Sequence, residues 1–387
     1  MEKFLVASKN CLINANDYQQ ILVVLGNPTC DLDSAVCALA KGYLEYREQA
    51  VSRITGVIPV LNVTRDEFRL RTEVVYYLKR CGVPRDLLTF RDEINLEELR
   101  ASEKLQLIMV DYHALPEEDV QLADSVIEVI DHRPQDASWP WSGRRLCLQL
   151  VGSCATLVAQ QILQRCPDIL TELACLLKGP ILVDTVNLSR EAARATPLDH
   201  EIMERLEQAT TARTTASGRS LVEKNEETMD ERTRVYRDIL AAKTDISELT
   251  PGDLLIRDMK VANGIPIPGF PILVKDFMEL EGAMEALDAF CVSRNYRLVV
   301  LIGLDLKEDK VTRDIAVYSL LPDQATDKLI EALLTAERPS SLQLTESGRV
   351  QRGQNLLLHY HQANARASRK QILPIIQSAA AATDECK

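Results

Sequence analysis

In residues 21 to 40, ILVVLGNPTCDLDSAVCALA, an apolar run leads directly into two aspartates two positions apart, Asp31 and Asp33, followed by a helix-like pattern. Three later stretches repeat the arrangement. LIMVDYH ends in Asp111, with His113 two residues on; VIEVIDHRP ends in Asp131 and His132; GPILVDTVNL ends in Asp184. Singly, each residue has an ordinary structural use. Asp31 or Asp33, with Ser34, can cap the following helix, Asp111 can hold a turn, His132 can be a hydrogen-bonded loop histidine, and Asp184 can cap as well. Together they crowd like charges, which repel unless something positive sits among them. A hard divalent cation fits, and carboxylates with one or two imidazoles suit Mn²⁺ or Mg²⁺. Two ions sharing a carboxylate would make a site for phosphoryl hydrolysis.

The elements that position these residues follow from the pattern of apolar runs. Between residue 21 and about 190, short apolar runs alternate with amphipathic ones: ILVVLG, GVIPVLNV, KLQLIMVD, SVIEVID and GPILVD read as strands, and the segments between them read as helices. Near-continuous apolar strands alternating with helices predict an α/β domain with a parallel sheet covered by helices on both faces. In such sheets ligands bind outside the carboxyl ends of the strands, so the carboxylates converge at one edge.

Residues 209–221, TTARTTASGRSLV, are small and polar and predict a hinge; the charged run after them reads as a solvated helix. The expected division is 1–208 for the metal-binding domain, 209–221 for the linker and 222–387 for a smaller α+β domain. The strands expected in that second domain include FPILVKDF, RLVVLIGLDL and RDIAVYSLL. Its basic residues, Arg257 and Lys260 in LLIRDMK and Arg369 and Lys370 in RASRKQILP, suit phosphate oxygens, although solvated surface is their commoner use.

Composition narrows the function classes. The 387 residues carry a formal net charge of −12, which argues against sequence-independent nucleic-acid binding. Ten scattered cysteines without a CxxC pair read as reduced thiols of an intracellular protein, not as a disulfide framework or a thiolate zinc site. Neither a signal-peptide pattern nor an apolar run long enough to span a bilayer occurs, so the expectation is a soluble cytoplasmic protein with no membrane association.

The ordered set NPTCDLDS, VDYH, DHRP, LVDTVN, RDMK and SRK resembles the DHH phosphoesterase superfamily, and within it the prune proteins, relatives of the family II inorganic pyrophosphatases. The resemblance runs from about residue 20 to residue 375. It implies a DHH domain carrying two Mn²⁺ or Mg²⁺ ions, a DHHA2-like second domain, and an active site in the cleft between them. Asp31, Asp33, Asp111, His132 and Asp184 are the implied metal ligands, Asp131 orients His132, and Lys260, Arg369 and Lys370 bind substrate phosphates.

Asn27 and Arg133 depart from the pyrophosphatase pattern, and Tyr112 departs from that of human-like prune proteins. Asn27 stands where a metal-binding histidine begins the motif, which makes it a weak ligand at best. Arg133 replaces the second histidine of the triplet and is expected to contact phosphate. Tyr112 replaces the middle histidine of an Asp-His-His and is expected to point away, whereas His113 survives with an open role. GSCAT, residues 152 to 156, matches as a helix N-terminus closing the crevice. The implied activity is exopolyphosphatase or pyrophosphatase hydrolysis of a small phosphate-containing substrate. Cyclic-nucleotide phosphodiesterase activity, and an interaction role with nucleoside diphosphate kinase as partner, are the implied alternatives. With aromatics at 5%, a base-binding slot is less expected than a cationic track for phosphates.

Overall fold

Residues 20–25, QILVVL, are β-branched and leucine-rich, and every one from Ile21 to Leu25 is buried, as a strand covered on both faces requires. The computed structural model of the chain describes residues 1–49, 54–216, 230–307 and 310–384. It divides into two units, Met1–Lys243 and Thr244–Lys387.

In the first unit the strands are β1 (Gln20–Leu25), β2 (Thr55–Leu61), β3 (Thr89–Phe90), β4 (Leu105–Val110), β5 (Val126–Asp131) and β6 (Arg145–Leu148). The helices are α1 (Glu2–Ile13), α2 (Leu32–Glu48), α3 (Thr72–Arg80), α4 (Leu96–Ala101), α5 (Cys154–Arg165), α6 (Leu170–Asp184), α7 (Pro197–Ala216) and α8 (Glu231–Thr244). The six strands are parallel in the order β3-β2-β1-β4-β5-β6. The order reverses between β1 and β4, where Val23 is level with Ile58 on one side and Leu107 on the other. That reversal opens the crevice in which doubly wound sheets bind their ligands.

Alternation along β1 divides its side chains between two cores. Leu22 and Val24 face a core built with α2, α5, α6 and α7, whereas Ile21, Val23 and Leu25 face a smaller one closed by Leu96 of α4 and by Tyr112, Leu122 and Trp141. Charge reaches into the larger core on α2. Lys41, fully buried on α2, is held by Glu45 at 2.8 Å, Glu128 of β5 at 3.1 Å and Gln161 of α5 at 2.7 Å.

The segment GPILVDTVNL is not a strand. Its first six residues complete α6, a helix apolar nearly all round, with Pro180 inside it. A short apolar run has the same composition in a buried strand and a buried helix, and only the preceding LTELACLLK lengthens this one into a helix. Residues 209–216 likewise continue α7 instead of forming a hinge, 217–221 lie outside the described residues, and the units divide further on, between Lys243 and Thr244.

The second unit contains α9 (Pro251–Arg257), β7 (Met259–Ala262), β8 (Ile265–Phe270), α10 (Val274–Met278), α11 (Ala283–Ser293), β9 (Leu298–Lys307), β10 (Lys310–Ser319), α12 (Gln324–Thr335), β11 (Leu344–Arg352), β12 (Asn355–Gln362) and α13 (Arg369–Asp384). Its sheet is mixed, in the order β11-β12-β10-β9-β8-β7, with only β8 and β9 parallel. FPILVKDF does not form a strand: Phe270 ends β8 and the rest turns into α10. Buried Asp314 of β10 causes the turn by accepting from the backbone N–H of Val274 at 2.8 Å and of Lys275 at 3.1 Å. Among the described residues no helix is long and apolar enough to cross a membrane.

Glu45 also meets Arg165 at 2.9 Å and Glu128 also meets Arg145 at 3.0 Å. Replacing Lys41 with Met should therefore remove the buried cation the two carboxylates share, leave each with a more exposed arginine, and lower unfolding stability by about 3 kcal/mol. Urea denaturation measures this; a loss under about 1 kcal/mol would mean the two carboxylates are neutralised elsewhere.

Candidate metal centre

Three of the sequence-identified residues meet at the β1–β4 crevice. A carboxylate oxygen of Asp33, one of Asp111 and a ring nitrogen of His132 all lie within 4.8 Å of one another. His132 Nε2 is 3.5 Å from Asp111 Oδ1 and 3.9 Å from Asp33 Oδ2.

Each ligand is fixed by the fold. Asp33 lies in the first turn of α2, and its carboxylate accepts from the backbone N–H groups of Cys154 at 2.7 Å and Ala155 at 2.9 Å. Those donors are the open N-terminus of α5, whose N-cap is Ser153 of the GSCAT motif, so helix donors point at the carboxylate itself. His132 presents Nδ1 to the Val151 carbonyl at 3.1 Å. A carbonyl only accepts, so Nδ1 keeps its proton, and Nε2, facing the two aspartates, is the nitrogen that gains or loses one. Asp111 follows β4 in the left-handed region, φ +63°, which costs a non-glycine residue about 1–2 kcal/mol. Its backbone is held there on both sides: Asp111 N–H donates to Ile130 O at 2.9 Å, and its carbonyl accepts from Asn27 Nδ2 at 3.0 Å.

Asp31 and Asp184 lie beside this group. Asp31 is the N-cap of α2, accepting from Ser34 N–H at 3.1 Å, and its charge still bears on Asp33, Asp111 and Asp184. Asp184, at the end of α6, faces the other aspartates' charge. After it, Val186, Asn187 and Leu188 all take left-handed φ, from +54° to +58°, a reversal sterically unfavourable for β-branched Val186.

The electrostatics are those of carboxylates crowded together in a buried pocket. Burial raises the pKa of Asp33, Asp111 and Asp184, and the neighbouring aspartates raise it further. Burial alone would lower His132, but the hydrogen bond with Asp111, the charge of Asp33 and the Val151 carbonyl outweigh it and push the imidazole up to about 9. Asp111 Oδ2 and Asp184 Oδ2 are buried without a hydrogen-bond partner. An orphaned buried carboxylate oxygen is costly, and two of them in an oxygen-and-imidazole pocket fit a hard divalent cation.

Several sequence expectations resolve differently. Asn27 does not present itself as a ligand: its Oδ1 accepts from Thr29 N–H at 3.0 Å and Oγ1 at 3.2 Å, so the amide staples the β1 loop to the end of β4. Asp131 does not orient the His132 ring. Its Oδ1 accepts from the His132 backbone N–H at 2.7 Å, and its Oδ2 pairs with His113 Nδ1. The Nε2 of His113 accepts from Asp136 N–H at 2.9 Å, so His113 braces the loop and is not aimed at the cluster. Tyr112 is buried in the core on the opposite face of the sheet. Arg133, half-exposed, donates to Asp111 Oδ1 at 3.1 Å and so touches the acidic cluster. In the second unit, Arg369 donates to Asp258 through Nη1 to its carbonyl and Nη2 to its carboxylate, both at 2.7 Å, while Lys260 on β7 and Lys370 in the first turn of α13 are exposed.

Sequence reasoning missed Asp199. It is fully buried and accepts from Gly152 N–H at 2.8 Å, Thr156 Oγ1 at 2.6 Å, and Thr196 N–H and Oγ1, both at 2.7 Å. It therefore locks both flanks of the turn that supplies the Val151 carbonyl to His132 and the α5 donors to Asp33. Glycine is required beside it, because a Cβ on Gly152 would lie 2.3 Å from Thr185 Cγ2. A capping box of Thr196 with Asp199 three residues on was the available signal.

A family model described as the DHHA2 domain matches residues 237–379. The chain is 34% identical over 394 residues to a Bos taurus protein named exopolyphosphatase PRUNE1, covering 99% of this chain and 80% of the relative. It is 33% identical over 389 residues to the Homo sapiens protein of the same name, with the same coverage. It is 26% identical over 324 residues to a Mus musculus protein named protein prune homolog 2, covering 82% of this chain but 10% of that protein.

His132 and the raised carboxyls all have folded-state pKa values above their unfolded ones, so their protonation stabilises the ion-free fold at low pH. The carboxyls begin to lose their contribution as pH rises above their ordinary value of 3.8, and His132 loses its own as pH climbs from 6.5 through about 9. The melting temperature of the chelated protein should fall over that window and recover with divalent metal, with proton release on binding seen by calorimetry in two buffers; a flat profile would contradict the clustering. Asp199→Asn places a donor amide among four donors, and calorimetry should find divalent-metal affinity reduced about 10- to 100-fold. Unchanged affinity would mean that Asp199 does not govern how Asp33 and His132 are aimed.

Proposed function

The chain belongs to the prune family, and from that premise we propose that it is a metal-dependent phosphohydrolase cleaving the phosphoanhydride bonds of short-chain polyphosphate or pyrophosphate. The observation that carries the reading is the pair of buried, unpartnered oxygens on Asp111 and Asp184 beside Asp33 and His132. Polar groups are rarely left so in a core without water or an ion to complete them, and two carboxylate oxygens beside a third carboxylate and an imidazole suit a cation.

Asp33, Asp111 and His132 would hold one ion, and Asp31 and Asp184 would supply a second; Mn²⁺ and Mg²⁺ both suit this donor set. When bound, the ions lower the pKa of water and polarise a phosphoryl oxygen. The chain's own residues do the rest. Val151 keeps a proton on Nδ1 of His132, which leaves Nε2 as the nitrogen turned toward an ion, and the α5 amides hold the Asp33 carboxylate in place. Arg133 sits at the mouth with its guanidinium against Asp111, from which it can also donate to a phosphate oxygen. Lys260, Arg369 and Lys370 of the second unit are assigned to the remaining substrate phosphates; the two bonds from Arg369 to Asp258 support an oriented guanidinium there.

Exopolyphosphatase is the name of the relatives at 33–34% identity, and it favours the phosphoanhydride over a cyclic nucleotide. The nine described cysteines are all free thiols, which supports a reducing compartment such as the cytoplasm. Binding of nucleoside diphosphate kinase is a separate reading, and a variant without turnover separates it from catalysis.

Asp184→Asn should lower phosphate release from tripolyphosphate, with Mn²⁺ or Mg²⁺, by more than about 100-fold, since groups one step further from a metal already cost 10- to 100-fold. Lys260→Ala should chiefly raise KM. Full turnover by Asp184→Asn would sink the proposal, and conversion of cyclic AMP to AMP faster than tripolyphosphate is cleaved would move the substrate to the phosphodiester.

A further inference from the structure

Away from the metal centre, two cysteines distant in sequence are brought into contact. Cys81 closes α3 at its C-terminus and Cys175 lies in α6; their Sγ atoms are 3.5 Å apart across a separation of 94 residues. A disulfide needs about 2.05 Å, so the closing movement is about 1.5 Å. Both residues are half-buried, whereas Cys11, Cys30, Cys37, Cys154 and Cys291 are buried.

The surroundings treat the two sulfurs unequally. Among the nine described cysteines, Cys175 is the one whose thiol is drawn below its ordinary range, to about 6. The hydrogen bond from the Cys81 thiol is the main cause; burial opposes it, and Lys178 and Arg80 add to it. The same contact, with burial, raises Cys81. Lys178, one turn beyond Cys175, lines a cavity of about 160 Å³ walled by Met203 and Glu207 of α7 and Arg232 and Val235 of α8, so this charge borders open space and not packed core. Cys147 and Cys166, also half-buried, have raised thiols, that of Cys166 donating to Asp168 at 3.0 Å.

We propose that Cys81 and Cys175 are a modification site: a dithiol that closes reversibly to a disulfide by exchange with a low-molecular-weight disulfide of the glutathione type. The Cys175 thiolate attacks one sulfur of glutathione disulfide, forming a mixed disulfide and releasing one glutathione thiolate. Cys81 gives up its proton to solvent and attacks the Cys175 sulfur, forming the intramolecular bond and releasing the second. The protein loses two electrons and two protons, and one glutathione disulfide becomes two glutathiones. The bond ties α3 to α6, the helix whose last residue is Asp184.

The test equilibrates the full chain in glutathione buffers of rising disulfide content, then quenches with acid, alkylates, digests and identifies the peptides by mass spectrometry. A Cys81–Cys175 linked peptide should rise with glutathione disulfide and vanish with dithiothreitol. Cys81→Ser should trap glutathione on Cys175, and Cys175→Ser should leave Cys81 alkylated. Circular dichroism confirms that both variants are folded. Wild-type protein that stays alkylated at both positions in excess glutathione disulfide would overturn the proposal, as would glutathione trapped on Cys81 in Cys175→Ser as readily as on Cys175 in Cys81→Ser.

Discussion

The crowding of buried carboxylates at one sheet edge is the constraint on which the first unit depends. Asp33, Asp111 and Asp184 are each pushed toward the neutral form by burial and by one another, and the fold nevertheless spends a strained backbone at Asp111 and three left-handed residues after Asp184 to bring them there. Such an arrangement opposes folding unless a positive group joins it. His132 and Arg133 supply part of the compensation, both against Asp111 Oδ1, and the oxygens they leave over are the ones a cation would take.

What holds the cluster is mostly backbone. The start of α5 gives two N–H groups to Asp33, and the residue three positions before that helix gives its carbonyl to His132. Asp199 reaches from α7 to fix that same turn through Gly152 and Thr156, with no room for a side chain at Gly152. One buried carboxylate far from the cluster in sequence thus governs the aim of two ligands from different elements.

The sequence was informative where a local pattern decided the outcome. Strands β1, β4 and β5 were legible from apolar runs, and Asp33, Asp111 and His132 from their place just past them. Asp184 was expected at the end of a strand and closes a helix instead, because five apolar residues read alike in a buried strand and a buried helix. That Asp131 holds the ring of His113 and not that of His132 was not legible. Which imidazole Asp131 holds depends on how the loop after β4 returns past β5, a matter of tertiary contact. Asn27 was expected as a weak ligand, yet Thr29, two residues on, takes its oxygen; an Asx turn of this kind is local and could have been read. The α10 turn in the second unit depends on Asp314, about forty residues later, and no local pattern announces it.

Anomalous X-ray diffraction from crystals soaked with Mn²⁺ and a phosphate analogue tests the metal centre without passing through activity. Anomalous density bounded by Asp33, Asp111 and His132 is expected, with a second peak reached by Asp31 and Asp184. Crystals with saturating Mn²⁺ and no anomalous density among these five residues would contradict a metal centre at this sheet edge.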